Sequence, residues 1–341
     1  MNYQTIKSLA AAGLIAAAMT MTASSANACG TIRVGDLDWG SAKLHTAITK
    51  IILEDGYGCK TDITTGSTNP IMAALYAQKI DVVMEVWSDN IDAQIQKYIK
   101  AGKIRMVGIN TPQSGQGFYV DAPTAKKYNL KSVQDMMKPE IAMLFKDPLE
   151  PEKGRMTSCI SGWTCYTVNQ VKMFSYGLDK FYTNYDPGSS GALDAAIKGA
   201  FKKKKPIFTY YWEPTALMGQ VDLVKLEEPA YNRKDWAVIS AQVDEVKKDG
   251  PEKLKKIKIV AYNGMPLEVG ISTKLDKAEP EVVKFLSKYT IPLSKVNELL
   301  AHYKTVADGE ADVTARHFLK TDKTWESWVP AEVAAKVKAS L

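Results

Sequence analysis

The chain has 341 residues, 45% apolar and 24% charged, with a mean hydropathy of −0.20. That length suits two domains, and that balance excludes an intrinsically disordered chain and a multi-span membrane protein. The formal charge of +6 is small for the length, and the lysine runs Lys202–Lys205 and Lys253–Lys258 carry no interleaved aromatics, so they read as solvated faces and no nucleic-acid partner is expected.

Residues 1–28 read as an export signal: Lys7 gives a positive n-region, LAAAGLIAAAMTM an apolar h-region, and Ala26-Asn27-Ala28 a small-x-small cleavage site before Cys29. A lipoprotein signal would also put a cysteine first, but Ala26 stands where leucine is usual, so Cys29 is expected to pair rather than be acylated. Four cysteines in an exported chain favour two disulfides, and their spacing suggests Cys29 with Cys59 and Cys159 with Cys165, the second bracing a surface turn. His45, His302 and His317 share no ligand spacing with any cysteine, so no metal is expected.

The next stretch alternates strand-like and helix-like runs. TIRVGDL, KTDITTG and DVVMEVW read as strands. Between and after them, SAKLHTAITKIILEDGYG reads as a helix capped by Ser41 and ending at Gly56, NPIMAALYAQK as a helix with Pro70 in its first turn, and SDNIDAQIQKYIKAG as a helix stopped by Gly102. This βαβαβα rhythm predicts a mostly parallel sheet covered on both faces. NTPQSGQG marks a crossover. Beyond it, GFYVD, VQDMMKP, the cysteine turn CISGWTC, the helices TVNQVKMFSYGLDKF and SSGALDAAIKGAFKKKK, and the strand PIFTYYW form a second α/β unit. From Pro280 the chain is helical. The predicted division is a first lobe over 29–114, a second over 115–225, and a return to the first over 226–341.

Three tryptophans fall at strand ends: Trp39 after TIRVGDLD, Trp87 closing DVVMEVW, and Trp212 closing PIFTYYW. Open α/β sheets bind ligands beyond those ends, so the three rings are expected to face a cleft, with Phe118 and Tyr119 entering just after the crossover. A methylated ammonium has no N–H to satisfy and is drawn to ring faces, whereas a primary amine wants three acceptors. Four faces at about 2 kcal/mol each sum to about 8 kcal/mol, near a micromolar dissociation constant, as an upper bound before ordering costs. Trp163, Trp236, Trp325 and Trp328 read by default as core, with Trp163 in the cysteine turn within reach of the cleft.

Polar groups near the same strand ends are candidates too. Asp38 precedes Trp39, Glu85 lies two before Trp87, and Glu213 follows Trp212; carboxylates in the cleft would favour a cation lacking its own. Glu213 also suits the N-terminus of a helix opened by Pro214. Ser67, Thr68 and Asn69 form the turn before Pro70, where they either cap a helix or leave N–H groups for a ligand carboxylate. The sequence holds no HExxH, GxSxG, phosphate loop or dinucleotide turn, so no enzyme and no cofactor are expected. The alternatives are an exported hydrolase, or the same two-lobed fold holding an amino acid or polyamine.

Taken together, DWGSAKL with ILEDGYGC, DVVMEVWSDN, CISGWTC with FSYGLDKFY, DPGSSGALDAAI, YYWEPTALMGQVDLVKLEEP and WESWVP give a chain that resembles, over nearly all its length after residue 28, the substrate-binding proteins of ABC importers for glycine betaine, choline and related compounds. The resemblance implies a type II periplasmic binding fold with two lobes, a hinged cleft and an aromatic box around a quaternary ammonium head. Closure is expected at the two crossovers, near residues 110–117 and 223–230, in a periplasmic monomer that delivers its ligand to an inner-membrane permease. Trp39, Trp87 and Trp212 match three box tryptophans and Tyr119 the tyrosine of choline-binding members. Those members carry an aspartate two residues after the first tryptophan, where this chain has Ser41, and an asparagine in the second lobe for which it shows no clear counterpart.

Overall fold

The computed structural model describes residues 29–341; the export signal expected over 1–28 lies outside them. Ten strands form two five-stranded sheets. The first holds β1 (Thr31–Leu37), β2 (Lys60–Gly66), β3 (Val82–Val86), β4 (Ile104–Thr111) and β10 (Leu267–Ser272), in the order β2-β1-β3-β10-β4. Both β2 and β3 run parallel to β1, while β10 is antiparallel to β3 and β4. The second holds β5 (Gly115–Asp121), β6 (Gly154–Thr157), β7 (Tyr182–Tyr185), β8 (Phe208–Glu213) and β9 (Leu223–Lys225), in the order β7-β6-β8-β5-β9. The expected α/β lobes are present, each sheet mixed rather than purely parallel.

Position in the sheet explains the composition of the strands. β3, with neighbours on both sides, is buried at every residue, whereas the edge strand β2 is mostly exposed and carries Lys60, Thr61, Asp62 and Thr64. The helix Gly40–Ile51 turns Leu44, Ile48 and Ile51 inward at helical spacing. It continues as a wider turn over Ile52–Tyr57 and closes at Gly58 with φ +71°. Gly56 has a different use from the expected stop: a Cβ there would lie 2.7 Å from Val333 and 2.8 Å from Val337, so its hydrogen lets the final helix, Ala331–Ser340, pack closely. Ser41 is not a cap either, since Trp39 occupies that position in extended geometry.

The return to the first sheet comes later than expected. β9 pairs with β5, and Leu226 N donates to Phe118 O (2.8 Å), so residues 223–226 belong to the second lobe. Its core also takes in Trp236, Ile239, Val243 and Tyr262, and the first strand to rejoin the other sheet begins at Leu267. The sheets are therefore linked by residues 112–114 and by the stretch before Leu267, where Ser114 Oγ donates to Met265 O (2.6 Å); residues 223–230 are no crossover. The sequence misleads here because LVKLEEP ends in proline and polar residues, a common loop signal, while the edge pairing of β9 is set by β5. After β10, the closing helices bury Phe285, Phe318, Trp325 and Trp328 against the first sheet, as their spacing predicts.

Candidate ligand site

Between the lobes lies a cavity lined by Trp39, Trp87, Trp163, Trp212, Tyr210, Thr68, Asn90, Ile91, Thr164 and Cys165. Trp39, Trp87, Thr68, Asn90 and Ile91 come from the first lobe and the other five from the second. Trp163 forms the corner: its ring is edge-on to Trp39 (centroids 5.0 Å apart, 71°) and to Trp212 (5.2 Å, 89°), the arrangement aromatic quadrupoles prefer. Tyr210 lies nearly parallel to Trp212 at 6.3 Å.

Strand alternation places these rings. On β8, Tyr210 and Trp212 are two apart and share a face, opposite Phe118 and Gln116 of β5, so Tyr119 stands on the other face, paired with Thr209. Phe118 is wholly buried and packs edge-on to Phe208 (6.0 Å). Neither Phe118 nor Tyr119 lines the cavity. Tyr210 takes the place expected for Tyr119, and the repeat of two in PIFTYYW would have identified it.

The carboxylates near the rings hold indoles rather than line the cavity. Glu85 Oε1 accepts from Trp39 Nε1 (2.8 Å), Trp87 Nε1 (3.0 Å) and Ser41 Oγ (3.1 Å). Burial raises the Glu85 pKa, and the three donors offset part of that rise. Asp38 Oδ1 accepts from Trp163 Nε1 (2.6 Å) across the lobes. Glu213 does not reach the cavity, and the residues after it form turns rather than the helix expected from Pro214.

Thr68 and Thr164 begin two helices, Thr68–Tyr76 and Thr164–Tyr176, that approach each other from opposite lobes. Asn69 N donates to Gly162 O (3.2 Å), and Thr164 Oγ1 donates to Asn69 Oδ1 (3.2 Å). Ser67 sits at the cap position without a side-chain cap bond, its hydroxyl against Gly162, where a Cβ would lie 2.5 Å away. Of the three residues in that turn, only Thr68 reaches the cavity. The backbone N–H groups of Thr68, Thr164 and Cys165 have no protein acceptor among the described residues, which leaves them able to receive an anion. Both disulfides pair as expected. Cys159 and Cys165, however, are buried, and their bridge holds the Trp163 loop at the cavity wall rather than a surface turn.

Asn90 was not legible from the sequence. It is buried and exchanges hydrogen bonds with Gln116 of the other lobe (3.3 and 3.2 Å). Its neighbour Asp89 is clasped by Tyr231 (3.2 Å) and Asn263 (2.9 Å), and Trp236 Nε1 donates to its carbonyl (2.7 Å). Nothing in SDN distinguishes these roles from those of a solvated helix start.

Comparison with known proteins agrees with this geometry. A family model described as the substrate binding domain of ABC-type glycine betaine transport systems matches residues 30–321. The glycine betaine/proline betaine-binding periplasmic protein of Escherichia coli is 29% identical over 126 residues, 36% of this chain and 38% of that protein, so the match spans well under half of the relative. Its Salmonella typhimurium namesake is 26% identical over 250 residues, 70% of this chain and 72% of the relative. Among solved structures, an ABC-transporter choline-binding protein in complex with choline has a TM-score of 0.69 at 20% identity, covering 92% of this chain and 98% of its own. Lactococcal OpuAC, closed around glycine betaine, has a TM-score of 0.65 at 17% identity, covering 88% of this chain and 100% of its own. The fold is that of the type II periplasmic binding proteins.

Proposed function

We propose that this chain, which belongs to the family of substrate-binding domains of ABC-type glycine betaine transport systems, binds a small methylated ammonium compound that carries its own carboxylate, and delivers it in the periplasm to a membrane permease. The observation that supports this reading is the cavity walled by Trp39, Trp87, Trp163, Trp212 and Tyr210, with the first turns of two helices among its lining. Ring faces attract a quaternary ammonium that has no proton to donate, and free N–H groups suit a carboxylate. Asp38 and Glu85, bonded to rings of the wall, already accept indole N–H groups, and no carboxylate is in the lining, so a zwitterion brings the negative charge that the lining lacks. That balance favours a betaine over choline, which offers only a hydroxyl.

Binding is reversible capture without chemistry, and closing the lobes removes the head group from water. Titration of the purified protein with glycine betaine, choline, carnitine, trimethylamine oxide, histidine and putrescine tests this, read by calorimetry and by tryptophan fluorescence. Betaines are expected to bind, to change the fluorescence, and to be recovered unaltered by mass spectrometry. Trp87→Ala is expected to weaken binding by about 1 to 3 kcal/mol through lost cation–π contact and packing. Stabilisation by putrescine or histidine alone would overturn the reading, and unchanged affinity in Trp87→Ala would remove that ring from the site.

A further inference from the structure

Beside the aromatic cavity lies a second one of about 580 Å³, open to solvent, and the two share Thr68, Ile91 and Thr164 in their walls. One cationic side chain stands at that shared wall. Lys247, on the helix Arg233–Asp249, donates from Nζ to Asn69 Oδ1 (2.7 Å) of the first lobe and to Thr164 Oγ1 (2.9 Å) of the second. Its ammonium is thus one hydroxyl away from the lining of the aromatic cavity; Asp244, one turn earlier on the same helix, acts on it through space but makes no hydrogen bond or ion pair with it among the described residues.

The placement would gain from an anion in direct contact with the ammonium. A cation beside the first turns of two helices meets the positive end of each dipole. Both lobes crowd the ammonium although the residue keeps part of its surface in water, and the lost hydration pulls its pKa down to about 8, with Asp244 opposing the shift. Among the described residues, its hydrogen-bond acceptors are an amide oxygen and a hydroxyl. A ligand carboxylate among the N–H groups of Thr68, Thr164 and Cys165 would supply a negative charge closer to the ammonium than Asp244 does by a through-space effect alone.

We infer that Lys247 is a specificity-determining residue, which selects ligands with a carboxylate at the end away from the ammonium head over ligands with the same head and a neutral end. This rests on the functional reading above. It predicts that charge at position 247 changes the choice between ligands, whereas a mere clasp between lobes would change affinity for all ligands alike.

The test compares glycine betaine with its uncharged carboxamide, whose head and size are nearly the same, in the wild type, Lys247→Met and Lys247→Arg. In Lys247→Met, affinity for glycine betaine is expected to fall about tenfold while affinity for the carboxamide changes less than about twofold, as the loss of one screened charge interaction at short range requires. Lys247→Arg keeps the charge and is expected to retain most of the preference. Equal weakening of both ligands, or no change in either, overturns the inference. A wild type that binds neither compound overturns the functional reading, and this inference with it.

Discussion

Glu85 uses a single oxygen to orient two indoles and a serine hydroxyl, while its Oε2 is buried without a protein partner among the described residues. Glu85 is thereby a scaffold for Trp39 and Trp87. Near it, His45 is wholly buried, with Nδ1 2.7 Å from the hydroxyl of Tyr289 and Nε2 3.4 Å from Thr111 Oγ1. Burial pushes its pKa down to about 3. The folded protein therefore leaves His45 neutral where the unfolded chain, with an ordinary histidine near 6.5, takes a proton. Stability from this group is full above that value and is lost as pH falls toward 3, by about 2 kcal/mol between pH 7 and pH 5. Glu85, raised by burial rather than lowered, works in the opposite sense. The difference between wild type and His45→Gln is thus the measurement: urea midpoints at the two pH values should fall less in the variant, and an identical fall would refute the assignment.

At the scale of elements, a buried ion pair fastens the long return segment to the second lobe. Lys172, on the Thr164–Tyr176 helix, lies 2.7 Å from Glu228, and both side chains are almost completely inaccessible. Lys172 also donates to Val260 O (3.2 Å) and sits 4.1 Å from the ring centroid of Tyr262, while Tyr176 OH donates to Glu228 Oε1 (3.0 Å). Such a pair adds little over an apolar replacement, but removing one partner strands a charge. Lys172→Met is therefore expected to cost about 3 to 5 kcal/mol, and adding Glu228→Gln should restore much of it, as read from chemical denaturation. A double variant no more stable than Lys172→Met would show that the pair is not coupled. The pairing was invisible in sequence because it joins residues 56 apart with no shared motif, though each segment alone is recognisable as helix or loop.

For the whole molecule, one apolar cluster runs through both lobes, from Leu37, Trp39 and Leu75 to Phe118, Phe208 and Trp212. With the lobes together, Trp39, Trp163 and Trp212 are only 4 to 6% exposed, so a ligand that leaves requires a hinge motion at the two inter-sheet links. The Arg233–Asp249 helix packs on helices of both lobes, Asp92–Lys100 and Thr164–Tyr176, and straps them together. The Trp163–Asp38 hydrogen bond crosses the same gap. Trp163→Phe keeps an aromatic face but loses that bond, and is expected to speed ligand release about tenfold, from about 1 to 2 kcal/mol of lost interaction. Stopped-flow fluorescence would show it, and an unaltered release rate would mean that the bond does not help hold the lobes closed.

Local pattern alone determined the α/β rhythm, the cysteine pairing, and the prominence of Trp39, Trp87 and Trp212, because alternation, capping signals and aromatic placement at strand ends are properties of short segments. The tertiary structure alone decided that Glu85 and Asp38 face indoles, that Tyr210 rather than Tyr119 joins the wall, and that Trp163 forms its corner. It also moved the return to the first lobe from residue 226 to Leu267 and brought Lys247 to a wall it shares with residues from both lobes. These outcomes depend on strand register and on distant segments meeting across a cleft, which no window of neighbouring residues encodes.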